Sequence, residues 1–231
     1  MTGRCAIYFA PPEGSALEAF GRRVLGRDHV TGEDVEQPHL NGFDAAYLKR
    51  ITKSARHYGF HATLKAPFVL KAGRTIDELR DAAASFTANR TAFEAPPFEI
   101  TAHSSWIAFT LSAPCPEMKM LAADCVRAFE PFRAPLDDVD IERRRKSGLT
   151  PRQDEQMLTY GYPYIFDDFA FHMTLAGPLD QDEREAVLRA LRQDSPSPEE
   201  ACSQIDAIAL YQQPDRDSPF IQTGRFPFQK A

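Results

Sequence analysis

The sequence predicts an α/β (α+β) protein built as two internally repeated lobes, with antiparallel or mixed sheets flanking a central cleft and helices on the outside. Three observations carry this expectation. Short apolar strands and amphipathic helices follow one another in the same order through both halves of the chain. A His-x-Thr-Leu-x-x-Pro string occurs once in each half. The two strings also fall at equivalent places in that order, as a duplicated lobe requires.

Taking the elements in turn, Ala6–Ala10 is a short apolar run that Pro11 and Pro12 end, which reads as a buried strand. Leu17, Phe20, Val24 and Leu25 then recur at helical spacing behind Ser15, a suitable N-cap. An irregular insert near 27–57 has room for a short helix over Asp44–Ile51, and it leads into a strand at Tyr58–Lys65. A helix at 75–88, with Asp77 and Glu78 in its first turn, and a strand at Phe98–Ala102 complete the half.

The second half repeats the order. Trp106–Leu111 is a strand stopped by Pro114 and Pro116, and Met118, Leu121, Cys125, Val126 and Phe129 mark one helix face. The insert near 131–165 holds a helix at Pro151–Leu158, with Thr150 as N-cap and Pro151 in the first helical position. A strand at Phe169–Leu175, a helix at 181–192 and strands at Ile205–Tyr211 and Phe220–Phe226 follow. The chain thus reads as a single bilobal domain, with lobe-forming repeats at about 4–103 and 105–228.

Composition narrows the function classes. The 231 residues are 43% hydrophobic and 26% charged, as in an ordinary globular protein and unlike a disordered or collagen-like one. The net charge of −6 argues against generic coating of nucleic acid but leaves room for a local basic cleft. No apolar run approaches the roughly 18 residues that span a bilayer, and the apolar stretch before Pro11 is too short for a signal peptide. Cys5, Cys115, Cys125 and Cys202 lack C-x-x-C spacing, so they read as reduced, mostly buried thiols of a cytosolic protein and are too scattered for structural zinc.

The repeated strings are Phe60-His61-Ala62-Thr63-Leu64 and Phe171-His172-Met173-Thr174-Leu175. Residues i and i+2 of a strand share a face, so each His shares one with its Thr while the apolar neighbours point the other way. If an approximate two-fold axis relates the lobes, the two polar pairs meet across the cleft. Two imidazoles about one phosphorus suit in-line displacement: one removes a proton from the attacking oxygen and the other protonates the departing oxygen. The threonine hydroxyls can donate to the non-bridging oxygens. The scheme calls for no metal and no cofactor.

These strings resemble the two H-x-T motifs of the 2H phosphoesterases. The resemblance extends to one branch, the phosphonate-metabolism proteins encoded near C–P lyase genes, through Ala6–Pro11, Tyr58–Phe68, Ala128–Leu136, Gly148–Gln153, Gly161–Tyr164 and Phe171–Leu175. It implies a bilobal duplicated fold in which His61, Thr63, His172 and Thr174 form the catalytic tetrad. It also implies a small anionic substrate, such as the phosphonate-catabolism intermediate 5-phosphoribosyl 1,2-cyclic phosphate. An RNA 3′ end or nucleoside carrying a 2′,3′-cyclic phosphate is the alternative. A module that binds such a phosphate without turnover, or a partner protein of the phosphonate machinery, is a further one. Tyr8 and Tyr211 lie on strands equivalent to cleft-lining strands of that family, although alternation alone leaves their face open.

Other residues are candidates for holding the substrate. Lys65 follows Thr63 by two residues and is expected on the same face, where it could reach a phosphate oxygen. Tyr58 opens the first motif strand. Arg133, Gln153 and Tyr164 sit in the second insert, where aromatic and polar groups could hold a ribose or base, although packing of the insert explains the tyrosines too. The basic residues between Lys49 and Lys65 include no acid among them, which suits an anionic ligand, although a solvated helix face accounts for Lys49–Lys53. Arg143–Lys146 is ringed by Asp137, Asp138, Asp140, Glu142, Asp154 and Glu155, so it reads as a salt-bridged exposed segment, from which one arginine could still fold over the cleft. His29, His39, His57 and His103 are expected to be exposed.

Overall fold

A computed structural model describes residues 3–197, 200–201 and 203–230; Cys202 lies outside the described residues. The first half forms β1 (Arg4–Phe9), α1 (Ala16–Leu25), α2 (Ala45–Tyr58), β2 (Ala62–Phe68), α3 (Ile76–Thr87), β3 (Phe93–Glu94) and β4 (Phe98–His103). The second forms β5 (Trp106–Leu111), α4 (Pro116–Ala128), α5 (Asp138–Arg145), α6 (Pro151–Tyr160), β6 (Met173–Ala176), α7 (Gln181–Gln193), β7 (Gln204–Ile205), β8 (Ala207–Gln213) and β9 (Ile221–Pro227).

Seven strands join in one sheet of order β4-β5-β6-β2-β1-β8-β9, with every neighbouring pair antiparallel. β4, from the first half, pairs with β5, and β8, from the second, pairs with β1. The halves therefore exchange their third strands. The short β3 and β7 pair with each other. Helices cross over in the same way: α4 packs on β2, and α2 on β6. Each motif strand is thus backed by a helix of the other half.

The sheet separates two apolar clusters. In β1, Cys5, Ile7 and Phe9 enter the large core beneath the helices, whereas Ala6, Tyr8 and Ala10 join Ala209, Tyr211 and Phe220 on the opposite face. Ser15 accepts a hydrogen bond from the Glu18 amide to start α1, which buries Leu17, Phe20, Val24 and Leu25. Burying such side chains contributes roughly 1.5–3 kcal/mol each before conformational entropy is counted. Gly21 lies within this helix because a Cβ there would stand 2.1 Å from the Phe60 ring.

Several boundaries differ from the sequence expectation; the strand expected at Phe169–Leu175 begins only at Met173 and ends at Ala176. The helix expected over Asp44–Ile51 is present, with Asp44 as its N-cap, but it continues to Tyr58, so Tyr58 ends a helix and does not open a strand. Leu48, Ile51, Thr52 and Ala55 bury its inner face, and Lys49 and Lys53 are exposed. Neither Gly nor Pro interrupts the run until Gly59. The α5 helix was not foreseen, because it buries no side chain and has no apolar stripe to betray it. No helix among the described residues is long and apolar enough to cross a membrane.

Candidate active site

The two motif strands meet where β2 and β6 join, with Ala62 opposite Met173. Both side chains are buried and point into the core. Antiparallel continuation of that register sets His61 across from Thr174 and Thr63 across from His172. All four polar side chains consequently share the face away from the helices. The two histidines each stand one residue ahead of the strand proper, where the chain leaves Gly59 and Ala170.

Those two preceding residues orient the rings. His61 Nδ1 lies 2.9 Å from the Gly59 carbonyl oxygen, and His172 Nδ1 lies 2.8 Å from that of Ala170. A carbonyl only accepts, so each Nδ1 carries the proton and each Nε2 is left for chemistry. His61 Nε2 faces Thr63 Oγ1 at 3.3 Å. Gly59 adopts φ 82°, and a Cβ added there would meet the His29 Cβ at 2.8 Å. Glycine is needed to aim this carbonyl.

The two rings differ in their surroundings. Tyr8 stacks on His61 at 3.7 Å between centroids, with Tyr211 behind Tyr8 at 4.9 Å. Burial pushes the His61 pKa down to about 3; the Gly59 carbonyl opposes this, and the charge His172 would carry adds to it. His61 keeps an accessible edge in the cleft, so a bound anion will raise that value in a complex. His172 is also held below the ordinary imidazole value by burial, with the Ala170 carbonyl opposing. Trp106 lies 5.0 Å from it and is itself stacked on His103.

The cleft consists of two adjoining cavities. One, of about 650 Å³, is lined by His172, Thr174, Thr63, Trp106 and the mouth residues Tyr162 and Tyr164. The other, of about 490 Å³, is lined by His61, Tyr8, Tyr58 and several arginines. Thr63 and Tyr162 line both, so the two adjoin at these side chains. A larger concavity of about 830 Å³ lies beside α4 and holds none of the four motif residues. Chemistry requires convergent polar groups as well as space, which places the candidate site at the smaller cavities. Among the described residues no cluster of three His, Cys, Asp or Glu side chains could hold a metal ion.

Several sequence candidates stand elsewhere. Lys65 is buried on the helix side of the sheet, donating to Glu130 at 2.8 Å and to the Val126 carbonyl at 3.1 Å. The reason is a bulge: Tyr8 pairs with Thr63 but Ile7 pairs with Lys65, so the extra residue flips the alternation. Arg133 is drawn away by Glu130 and by the Ala134 and Thr159 carbonyls. Gln153 completes the capping box with Thr150 and donates to Asp168 at 3.0 Å. Tyr211 is fully buried behind Tyr8, and its hydroxyl has no hydrogen-bond partner among the described residues.

Tyr8, Tyr58 and Tyr164 do line the cleft. His29, expected on the surface, is buried against Tyr211. Sequence reasoning missed Arg4, Arg216, Trp106 and His103 as cleft residues. Trp106 and His103 end neighbouring strands, and the β4–β5 register pairs them. Of the Arg143–Lys146 run, Arg143 and Arg144 reach the cleft.

The chain matches the family described as "Protein of unknown function (DUF1045)" over residues 63–221. It is 34% identical over 229 residues to ribose 1,5-bisphosphate phosphokinase PhnN of Janthinobacterium sp. (strain Marseille), covering 97% of this chain and 51% of that protein. The protein of the same name from Laribacter hongkongensis (strain HLHK9) is 32% identical, covering 77% and 41% respectively. The chain thus spans about half the length, or less, of the curated relatives it matches. Among solved structures, E. coli LigT complexed with NADP+ is similar over 99% of both chains, at a TM-score of 0.46 and 12% identity. Because the family match runs over more than half of the sequence, both motif threonines included, the protein belongs to the DUF1045 family.

Proposed function

We propose that the protein is a phosphodiesterase that opens a small cyclic phosphate ester by acid–base catalysis between His61 and His172. The observation that carries this reading is the meeting of both His–Thr pairs around the Ala62–Met173 junction, with each Nδ1 tied to a carbonyl. Two imidazoles anchored through Nδ1, with their Nε2 atoms on the cleft side, match what in-line displacement at phosphorus demands. His61, kept neutral by Tyr8 and by burial, takes the proton of the attacking water. His172, less enclosed, protonates the ester oxygen that leaves. Thr63 and Thr174 donate to the non-bridging oxygens as charge builds.

The favoured substrate is 5-phosphoribosyl 1,2-cyclic phosphate. Water attack at phosphorus with rupture of the P–O2 bond leaves the phosphate on O1 and a hydroxyl on C2. The product is ribose 1,5-bisphosphate, the compound in the names of both curated relatives. This chain has no G-x-x-x-x-G-K-S/T run, the phosphate cradle of one large class of kinases. That supports a different step for the half of those relatives that it matches. The exposed Tyr164, edge-on to Tyr162 at 5.5 Å, favours a second reading in which a base stacks at the mouth of the cleft. The substrate would then be a nucleoside or RNA 2′,3′-cyclic phosphate.

Phosphorus NMR tests both. The purified protein is incubated in EDTA with each cyclic phosphate, beside His172→Ala. Conversion that resists EDTA and disappears in the variant is the expected result, and the preferred ester chooses between the readings. No conversion of either ester, with ligand-induced thermal stabilisation intact, would overturn catalysis in favour of a binding module.

A further inference from the structure

We infer that the cavity beside His61 is a second anion subsite, built to hold a phosphomonoester carried by the same molecule as the cyclic diester. The inference rests on the proposed function for the position of the diester and goes beyond it in assigning residues to the second phosphate. Four arginines, Arg4, Arg143, Arg144 and Arg216, line this cavity of about 490 Å³. Two of them share one carboxylate, Asp140, which accepts from Arg143 at 2.7 Å and from both terminal nitrogens of Arg216 at 3.1 and 2.7 Å. Arg4 donates from Nε to the neutral Gln213 at 2.7 Å and lies over the Phe220 ring. The cavity therefore holds more positive than negative charge in a protein whose overall charge is −6.

Arg144 is the informative member. Its neighbours in the run are neutralised, Arg143 by Asp140 and Arg145 by a two-point contact with Asp154 at 2.7 and 2.8 Å. Successive residues of a helix project about 100° apart, so α5 turns Arg145 away toward Asp154 and brings Arg143, already paired with Asp140, and beside it Arg144 to the cavity. There the Arg144 guanidinium lies 5.2 Å over the Tyr162 ring, and its Nε is buried without a hydrogen-bond partner among the described residues. Removing a cation from water without a counter-ion is costly unless an anion completes the site. A phosphomonoester fits, because its oxygens accept two parallel N–H bonds from a guanidinium fork.

The placement of α5 supports the same conclusion. This helix buries no residue, and its side-chain ties to the rest of the molecule include Arg145–Asp154 and Asp140–Arg216. Apolar packing does not account for its position. It carries Arg143 and Arg144 to a cavity that shares Thr63 and Tyr162 with the one beside His172. A sugar with its cyclic diester between the two histidines can therefore extend a second phosphate toward Arg144.

The test compares kcat/KM for 5-phosphoribosyl 1,2-cyclic phosphate with that for ribosyl 1,2-cyclic phosphate, which lacks the 5-phosphate. Wild-type protein is expected to prefer the phosphorylated ester by about 100-fold. Arg144→Met is expected to cut that ratio by about 10-fold or more, mainly through KM, and Arg144→Lys to restore part of it. Arg145→Met, whose charge is spent on Asp154 outside the cavity, is expected to leave the ratio unchanged. Equal kcat/KM for the two esters, or an unaltered ratio in Arg144→Met, overturns the subsite while leaving the phosphodiesterase standing. Calorimetric titration with ribose 5-phosphate separates the opposite case. If neither ester turns over but wild type binds this probe at least 10-fold more tightly than folded Arg144→Met, the subsite stands and the catalytic reading falls. Equal affinities, or no binding by wild type, overturn the subsite.

Discussion

Tyr8 lies nearly flat on His61, with centroids 3.7 Å apart and planes 23° from parallel. Its counterpart in the second half is Ala108, since Tyr8 pairs with Thr63 as Ala108 pairs with Thr174. One half has an aromatic ring where the other has a methyl group. This asymmetry within a duplicated frame is what can divide two similar histidines into a base and an acid. A stacked ring excludes water from His61 and resists its protonation, whereas Ala108 lays no ring on His172, which Trp106 meets only at a tilt, 5.0 Å between centroids.

The first prediction concerns pH. With His61 held near 3 and His172 below its ordinary 6.5, kcat/KM depends on neutral His61 and protonated His172. It is expected to fall as pH rises through the His172 pKa, and the His61 limb lies at the acid edge of the measurable range. Tyr8→Leu admits water beside His61, raises its pKa and brings that limb above pH 4. Superimposable profiles for the wild type and Tyr8→Leu between pH 3.5 and 8 would remove Tyr8 from this role.

His61→Ala and His172→Ala are each expected to lower kcat by about 10²–10⁴-fold. The double variant should lose much less than the product of the two, because the histidines serve one displacement. Multiplicative losses in single-turnover rates would show instead that the rings act independently.

The motif histidines and their shared face were legible in the sequence because i and i+2 alternation needs no tertiary information. Lys65 obeyed the same rule on paper, yet a single extra residue opposite Ile7 turned it to the other face. Bulges of this kind carry no composition signal. Arg133 and Gln153 were lost to local partners, Glu130 three residues away and Thr150 three residues away, which a sequence offers as readily as it offers a substrate. Tyr58 was placed in the right cleft by the wrong element. Arg144 depended on the rotation of a helix that has no apolar stripe.

The third prediction follows from Lys65. Lys65→Met removes the ammonium group that donates to Glu130 and the Val126 carbonyl, while Arg133 still pairs with Glu130 at 2.7 Å. Stability is expected to drop by about 1–3 kcal/mol, with kcat/KM within about 3-fold of wild type because the side chain never reaches the cleft. Denaturant unfolding and steady-state kinetics check the two parts, and a 10-fold rise in KM would return Lys65 to the substrate.

Gly59→Ala tests the aim of His61. The position has φ 82°, and the new methyl group would press on the His29 Cβ. Strain and contact together are expected to cost about 1–3 kcal/mol and to shift the carbonyl that holds Nδ1. Lower thermal stability accompanied by lower kcat is the expected outcome. Nitrogen NMR of His61 should show more of the tautomer protonated at Nε2, whereas an unchanged tautomer would assign the loss to folding alone.

The last prediction concerns acid stability. His29 is buried and stacked on Tyr211 at 5.7 Å, and its Nδ1 has no hydrogen-bond partner among the described residues. Burial holds its pKa down to about 4, against the pull of Asp28. The unfolded chain titrates this residue near 6.5, so below that pH unfolding takes up a proton that the folded ring refuses. Stability from this group is therefore complete above about pH 6.5. It is lost progressively toward pH 4, by about 3 kcal/mol in total. His61 adds a loss of the same sign that continues to lower pH. His29→Phe keeps an aromatic ring against Tyr211 but cannot titrate. Its unfolding free energy should fall less steeply than that of wild type between pH 6.5 and 4, while parallel curves would mean that His29 takes up its proton inside the fold.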